Sequence, residues 1–241
     1  MFVPTGTEEI IPRRKFPYVT AAIVALNSLV FIYELFILIT GGSGGLNAFF
    51  ETFGMVPSEL FAGQSNPLAL PFYVTLITSM FVHGGLLHVA SNMLYLSVFG
   101  DNVEEMMGPG FYIVFYLLCG LAASFAQIAA DPGSQVPNVG ASGAIAGVLA
   151  GYLLLLPTGT VRIFVFLVLF SRMARVPALI FISMWFVLQL LSGVNSLGAR
   201  ADSADMGGVA YWAHVGGFLA GLVLAFVYKR FMRWRLYRGI S

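Results

Sequence analysis

The sequence predicts an all-α membrane protein with six transmembrane helices, and three observations carry that prediction. Of its 241 residues, 59% are hydrophobic and only 10% charged, with a mean hydropathy of +0.88; a soluble domain carries nearer a quarter charged residues. The apolar residues form continuous runs, not the alternating segments of roughly ten expected of a lipid-embedded barrel, so helices are the way to satisfy the backbone in lipid. Counting six spans also gathers 11 of the 12 Lys and Arg residues on one side. The net charge of +1 gives no reason to expect nucleic acid. The single cysteine, Cys119, lies in an apolar run and rules out an intramolecular disulfide framework.

Residues 1–16 read as a polar arm ending in Arg13-Arg14-Lys15, with no cleavable signal, because a first apolar segment long enough to span follows it. The membrane domain covers 17–231 and a basic tail covers 232–241. The first span is expected over 18–40, closed by Gly41-Gly42-Ser43-Gly44-Gly45. A long connection follows, to about Gly84. It is unusually apolar, but its pieces are too short to cross, so they are expected to lie in the interface or dip into it. The second and third spans are expected over 86–102 and 111–129. After Asp131-Pro132-Gly133-Ser134 comes the fourth, over 142–156. Val161 to Phe170 is apolar but again too short to cross. The fifth and sixth spans are expected over 176–193 and 211–231.

With this count both termini share a side with the connections after spans two and four. That side holds every basic residue except Arg200, so the positive-inside rule places it in the cytoplasm. A seventh crossing at Val161 to Phe170 would put the five C-terminal basic residues outside. The connection after span two, Asp101 to Gly108, does not contribute, carrying three acids and no base.

The fourth span is about 22 Å long at the helical rise, against ~30 Å for a bilayer core. If its far end reaches the inner face, Ser142 at its head lies below the outer one. Spans two, four and six all start on the outer side, and their N-terminal ends hold His88 and Asn92, Ser142, and His214. Polar groups at such a depth are costly and mark function.

A serine hydroxyl needs a base to become a nucleophile, and a neutral histidine within hydrogen-bond reach supplies one. Span four carries Gly143, Gly147 and Gly151 at four-residue spacing, and span six carries Gly217 and Gly221. Such faces allow close helix approach, which would bring Ser142 to His214. No acid stands at that depth on either span, so the arrangement would be a dyad. The amide of Ser142 at a helix start, together with His88 and Asn92 one turn apart, could supply donors to an oxyanion. Gly140 and Gly143 leave room for a peptide. Glu34, near the outer end of span one, reads as a structural residue able to reach water.

These motifs resemble those of the rhomboid family of intramembrane serine proteases. The resemblance lies in Gly140-Ala141-Ser142-Gly143, in Ala213-His214-Val215-Gly216-Gly217 and in His88-Val89-Ala90-Ser91-Asn92. Phe81-Val82-His83-Gly84-Gly85 and the series Gly100, Glu104, Gly108 extend it, over about Thr75 to Leu224. It implies a rhomboid-like bundle with Ser142 as nucleophile, His214 as general base, and His88 and Asn92 in the oxyanion hole with Ser142. His83 would be a structural outer-loop histidine. It also implies single-span membrane proteins as substrates, cut in or near their transmembrane segment in the lipid bilayer, with no cofactor and no metal.

The match departs from the family at two points. Some relatives carry an aromatic residue four positions after the serine, packed on the histidine, where this chain has Ala146. The first loop also lacks the tryptophan-arginine pair. Two other readings stand beside the protease. One is a non-catalytic rhomboid-like protein that binds membrane clients. The other is a metal-dependent membrane enzyme or transporter using His83, His88 and His214, although His83 and His88 are five apart and no HExxH motif is present. The short polar arm is read as favouring a prokaryotic plasma membrane. The loop Asn195 to Gly208 and span five are expected to move when a substrate enters.

Overall fold

The computed structural model describes residues 2–8, 16–62, 70–167, 170–198 and 209–238. Arg13 to Lys15, Arg200 and most of the loop expected to move (199–208) lie outside the described residues.

The protein is a helical membrane protein. Helix α1 runs from Tyr18 to Phe53, further than the apolar run suggested, because Gly42 adopts φ +63° and breaks the helix without ending it. The second arm turns back on the first, bringing Phe49 to 5.9 Å from Tyr33 between ring centroids. A single turn, α2 (Glu59–Ala62), and a short helix, α3 (Phe72–Thr78), follow. Beyond a 3-10 turn at Ser79–Phe81, α4 spans Leu86–Met107. The chain bends by 82° between α3 with its turn and α4.

Gly108, at φ +74°, ends α4 by donating its N–H to the Glu104 carbonyl, and Pro109 opens α5 (Pro109–Ala130) at the one position where its missing N–H costs nothing. Helix α6 covers Ser142–Leu155, α7 Ala178–Gly198 and α8 Tyr211–Arg238. Among the described residues α1, α5, α7 and α8 are long and apolar enough to cross a membrane, and the bent α3–α4 pair makes a fifth if taken as one span. At 14 residues α6 is shorter than these, and three acids in the last two turns of α4 dilute its apolar length. Six spans were expected; length and composition alone support four or five.

The helical class has one addition. Strands β1 (Phe2–Glu8), β2 (Thr160–Leu167) and β3 (Phe170–Pro177) form an antiparallel sheet in that order. Most of the apolar run too short to cross, Val161 to Leu167, thus lies in a strand, and the polar arm pairs with it, Phe2 opposite Val165 and Glu8 opposite Thr160. Val161 and Ile163 are buried while Arg162 between them is exposed, the period of two that a one-sided strand requires. Glu8 holds Arg175 at 3.2 Å and Arg162 at 3.9 Å. The sheet follows the C-terminal end of α6, so it lies at the opposite end of that helix from Ser142.

Three cross-helix contacts fix the bundle. The buried Glu104 carboxylate accepts the N–H groups of Val19 and Thr20 at 3.0 and 2.8 Å and the Thr20 hydroxyl at 2.8 Å. It thereby caps α1, whose own N-cap residue is Pro17, with no side chain to offer. This accounts for an acid on the basic side of the chain. At the far end of α6, Lys229 donates to the Leu154 carbonyl at 2.8 Å, a cation at the negative end of the helix dipole. Between them runs a glycine seam. A Cβ at Gly217 would strike the Gly143 carbonyl, and one at Gly221 the Gly147 backbone. Gly151, grouped with this face by spacing, turns instead toward Phe115, 3.0 Å from a Cβ there.

Candidate active site

The loop ahead of α6 is tied down before it reaches Ser142. Met55 and Asn138 exchange backbone hydrogen bonds of 3.1 and 2.8 Å, and the Gly140 N–H donates to the Ser79 carbonyl at 2.8 Å. Gly140 then takes φ +123°, a conformation that disfavours any side chain. A Cβ there would lie 2.6 Å from His88 Nε2 and 3.7 Å from Asn92 Nδ2. The expected roominess at Gly140 therefore has a definite content: it lets two nitrogen-bearing side chains of α4 reach the backbone beside the serine. Asn92 is buried, and its Nδ2 has no hydrogen-bond partner. An unpaired buried amide donor is costly and calls for a reason.

Ser142 heads α6 with its amide among the free N–H groups of the first turn. Its Oγ lies 2.7 Å from Nε2 of His214, in the first turn of α8. The seam makes this possible, since a side chain at 217 would push the two helices apart. A Cβ at Gly143 would meet that of Ala123 at 2.5 Å, so α5 closes the third side. From α5, Gln127 also accepts the Ala213 N–H at 3.3 Å. A small cavity opens beside the serine, lined by Ser79, Met80, Gly120, Gly140, Ser142 and Ala213 among others.

The structure thus brings Ser142, His214, His88 and Asn92 together. His83 stands behind them, its ring 5.0 Å from that of His88 and edge-on to it. Its backbone N–H donates to Glu34 Oε1 at 2.9 Å. Glu34 is 2% exposed, so it does not reach water as expected; it holds the chain at His83 from inside the bundle. Among the described residues no group of three or more His, Cys, Asp or Glu is placed to hold a metal ion.

Two residues of the site went unnoticed in the sequence. Gln189 Oε1 lies 2.7 Å from Nδ1 of His214. The Trp185 ring covers the same imidazole, centroids 5.7 Å apart and planes 35° from parallel. Both stand on α7, four residues apart and so on one face. The available signal was Gln189 itself, a polar side chain amid an apolar span.

The comparisons with known proteins agree with this architecture. Residues 72–231, well over half of the chain, match the Rhomboid domain model. RHOMBOID-like protein 5 of Arabidopsis thaliana is 32% identical over 152 residues, covering 63% of this chain and 43% of its own length. Rhomboid protease GluP of Bacillus subtilis is 33% identical over 148 residues, 61% of this chain and 26% of GluP. The mitochondrial presenilin-associated rhomboid-like protein of Homo sapiens is 32% identical over 109 residues, 44% of this chain and 28% of that protein. The matched region spans less than half the length of each of these relatives. The chain belongs to the rhomboid family, whose members include intramembrane proteases and rhomboid-like proteins.

Proposed function

We propose that the protein is an intramembrane serine endopeptidase that cuts membrane proteins in or near their transmembrane segments. The observation that carries this reading is the 2.7 Å hydrogen bond between Ser142 Oγ and His214 Nε2. In the proposed reaction Ser142 Oγ attacks a peptide carbonyl carbon while its proton passes to Nε2. The carbonyl π electrons move onto the oxygen, where the Ser142 amide, His88 and Asn92 donate to it. Collapse of that intermediate breaks the C–N bond, and the imidazolium gives its proton to the leaving amine. Water, deprotonated by His214, then releases the acyl group from Ser142. The cavity at Met80 and Gly120 takes a small side chain next to the scissile carbonyl.

In this reading six spans cross a prokaryotic plasma membrane, both termini are cytoplasmic, and the site opens to the outer side. The basic sheet residues Arg162, Arg172 and Arg175 then face the cytoplasm, as the positive-inside rule requires. The test is cleavage of a single-span model substrate in proteoliposomes. Wild type cleaves, and Ser142→Ala and His214→Ala each abolish it. Cleavage surviving in both variants would refute the dyad. Client binding without cleavage by the wild type would point to the non-catalytic reading.

A further inference from the structure

We propose that Gln189 is a positioning residue for the base, so that α7 must be docked on α8 for His214 to act. The inference rests on the reading of Ser142 and His214 as a dyad. A neutral imidazole carries one N–H and one lone pair. Only a lone pair on Nε2 can take the Ser142 proton, so the hydrogen must sit on Nδ1. Gln189 places a carbonyl oxygen, an acceptor, 2.7 Å from Nδ1 and thereby selects that tautomer. Were the amide turned to present its NH2 group, Nδ1 would accept and Nε2 would carry the proton, leaving the base useless. The orientation of one amide therefore decides whether the dyad works.

Trp185, one turn earlier on the same face, limits tilting of the ring. Ala146 on α6 offers no ring to do so, and α7 supplies one. Helix α7 also meets α8 where Phe186 stacks on Phe218 at 4.2 Å and where Trp212 Nε1 donates to the Gly193 carbonyl at 3.1 Å, and its first turns are anchored in the core by Phe181 and Ile182. Much of its remaining surface, including Val187, Leu188 and Leu191, faces outward. A displacement of α7 removes both the acceptor and the ring from His214 at once. The groups in contact with His214 are Ser142 from α6 and Gln189 and Trp185 from α7, all uncharged; His88 on α4 is a further titratable group of the site.

The experiment compares wild type, Gln189→Met and Gln189→Glu in proteoliposomes, measuring kcat and KM across pH, with Ser142→Ala and His214→Ala as inactive references. In parallel, nitrogen-15 NMR of histidine-labelled protein reads the His214 tautomer. Gln189→Met, close in shape but without an acceptor, lowers kcat at least about 10-fold with KM little changed; a wrong tautomer in a carboxylate triad costs about 10⁴. An imidazolium donates through both nitrogens, so losing the acceptor moves the acidic limb of the profile to lower pH. Gln189→Glu moves it to higher pH and restores kcat relative to Gln189→Met.

The wild type shows the Nδ1–H tautomer and Gln189→Met does not. Wild-type kcat and an unmoved acidic limb in Gln189→Met, with Ser142→Ala inactive, would overturn the proposal and leave the dyad standing. Cleavage by Ser142→Ala would instead remove the dyad itself. If Gln189→Met does not fold, the wild type decides alone: an Nε2–H tautomer overturns the proposal.

Discussion

Gly217 on α8 faces the carbonyl of Gly143 on α6 so closely that no Cβ fits between them. This contact sets the separation of two helices whose next residues toward the loop carry Ser142 and, three positions back from Gly217, His214. Gly217→Ala is expected to cost about 1–3 kcal/mol of stability through overpacking. Because the helices separate, it should also reduce cleavage far beyond that loss; a displacement of 1 Å at a reacting pair costs roughly 10²-fold. Thermal unfolding in detergent and cleavage in proteoliposomes measure the two effects. Gly151→Ala, away from the seam, should leave the dyad distance alone and reduce cleavage much less.

The unpaired Asn92 amide, buried beside Gly140, is assigned to the oxyanion. Asn92→Ala should therefore lower kcat by about 10-fold to 10²-fold, at or below the 10²–10³ range for one donor of this kind, with KM nearly constant. Since the buried amide gains no partner in the free enzyme, its removal should not destabilise the fold. A fall in unfolding temperature with unchanged kcat would make Asn92 structural instead.

Gly140→Ala should be strongly damaging. It combines a φ of +123° with a Cβ 2.6 Å from His88 Nε2. Cleavage should fall at least about 10²-fold, since His88 is pushed off its proposed place at the oxyanion. A steady-state assay at saturating substrate checks this.

Glu104 separates stability from chemistry. It caps α1 with three hydrogen bonds at the end of α4 away from His88 and Asn92. Glu104→Ala should cost roughly 1–3 kcal/mol, the penalty for buried donors left without a charged acceptor. The kcat of the folded fraction should stay within about twofold. Chemical denaturation with parallel active-site titration tests both parts.

Much of the candidate site was legible because the proposed chemistry requires polar residues within apolar runs. His88, Asn92, Ser142 and His214 stand out for that reason, and the glycine periods at 143, 147, 217 and 221 reveal the close approach. Gln189 was passed over because one amide in a span has no partner visible in sequence; its meaning depends on how α7 rotates against α8. The start of β2 carried a readable period at Val161-Arg162-Ile163. Its pairing with the N-terminal arm joins segments some 150 residues apart, which local pattern does not report. The continuation of α1 past Gly42 was hidden because a glycine cluster signals a turn equally well whether the helix stops or resumes. Glu34 was placed near water from its depth in the span, whereas its burial follows from the fold bringing His83 to it.

The most direct measurement is covalent labelling of the protein in membranes with a fluorophosphonate, located by peptide mass spectrometry. The account predicts one labelled residue, Ser142, with labelling lost in His214→Ala and slowed in Gln189→Met. Equal labelling of Ser142 in wild type and His214→Ala, or labelling of the wild type at another residue only, would contradict it.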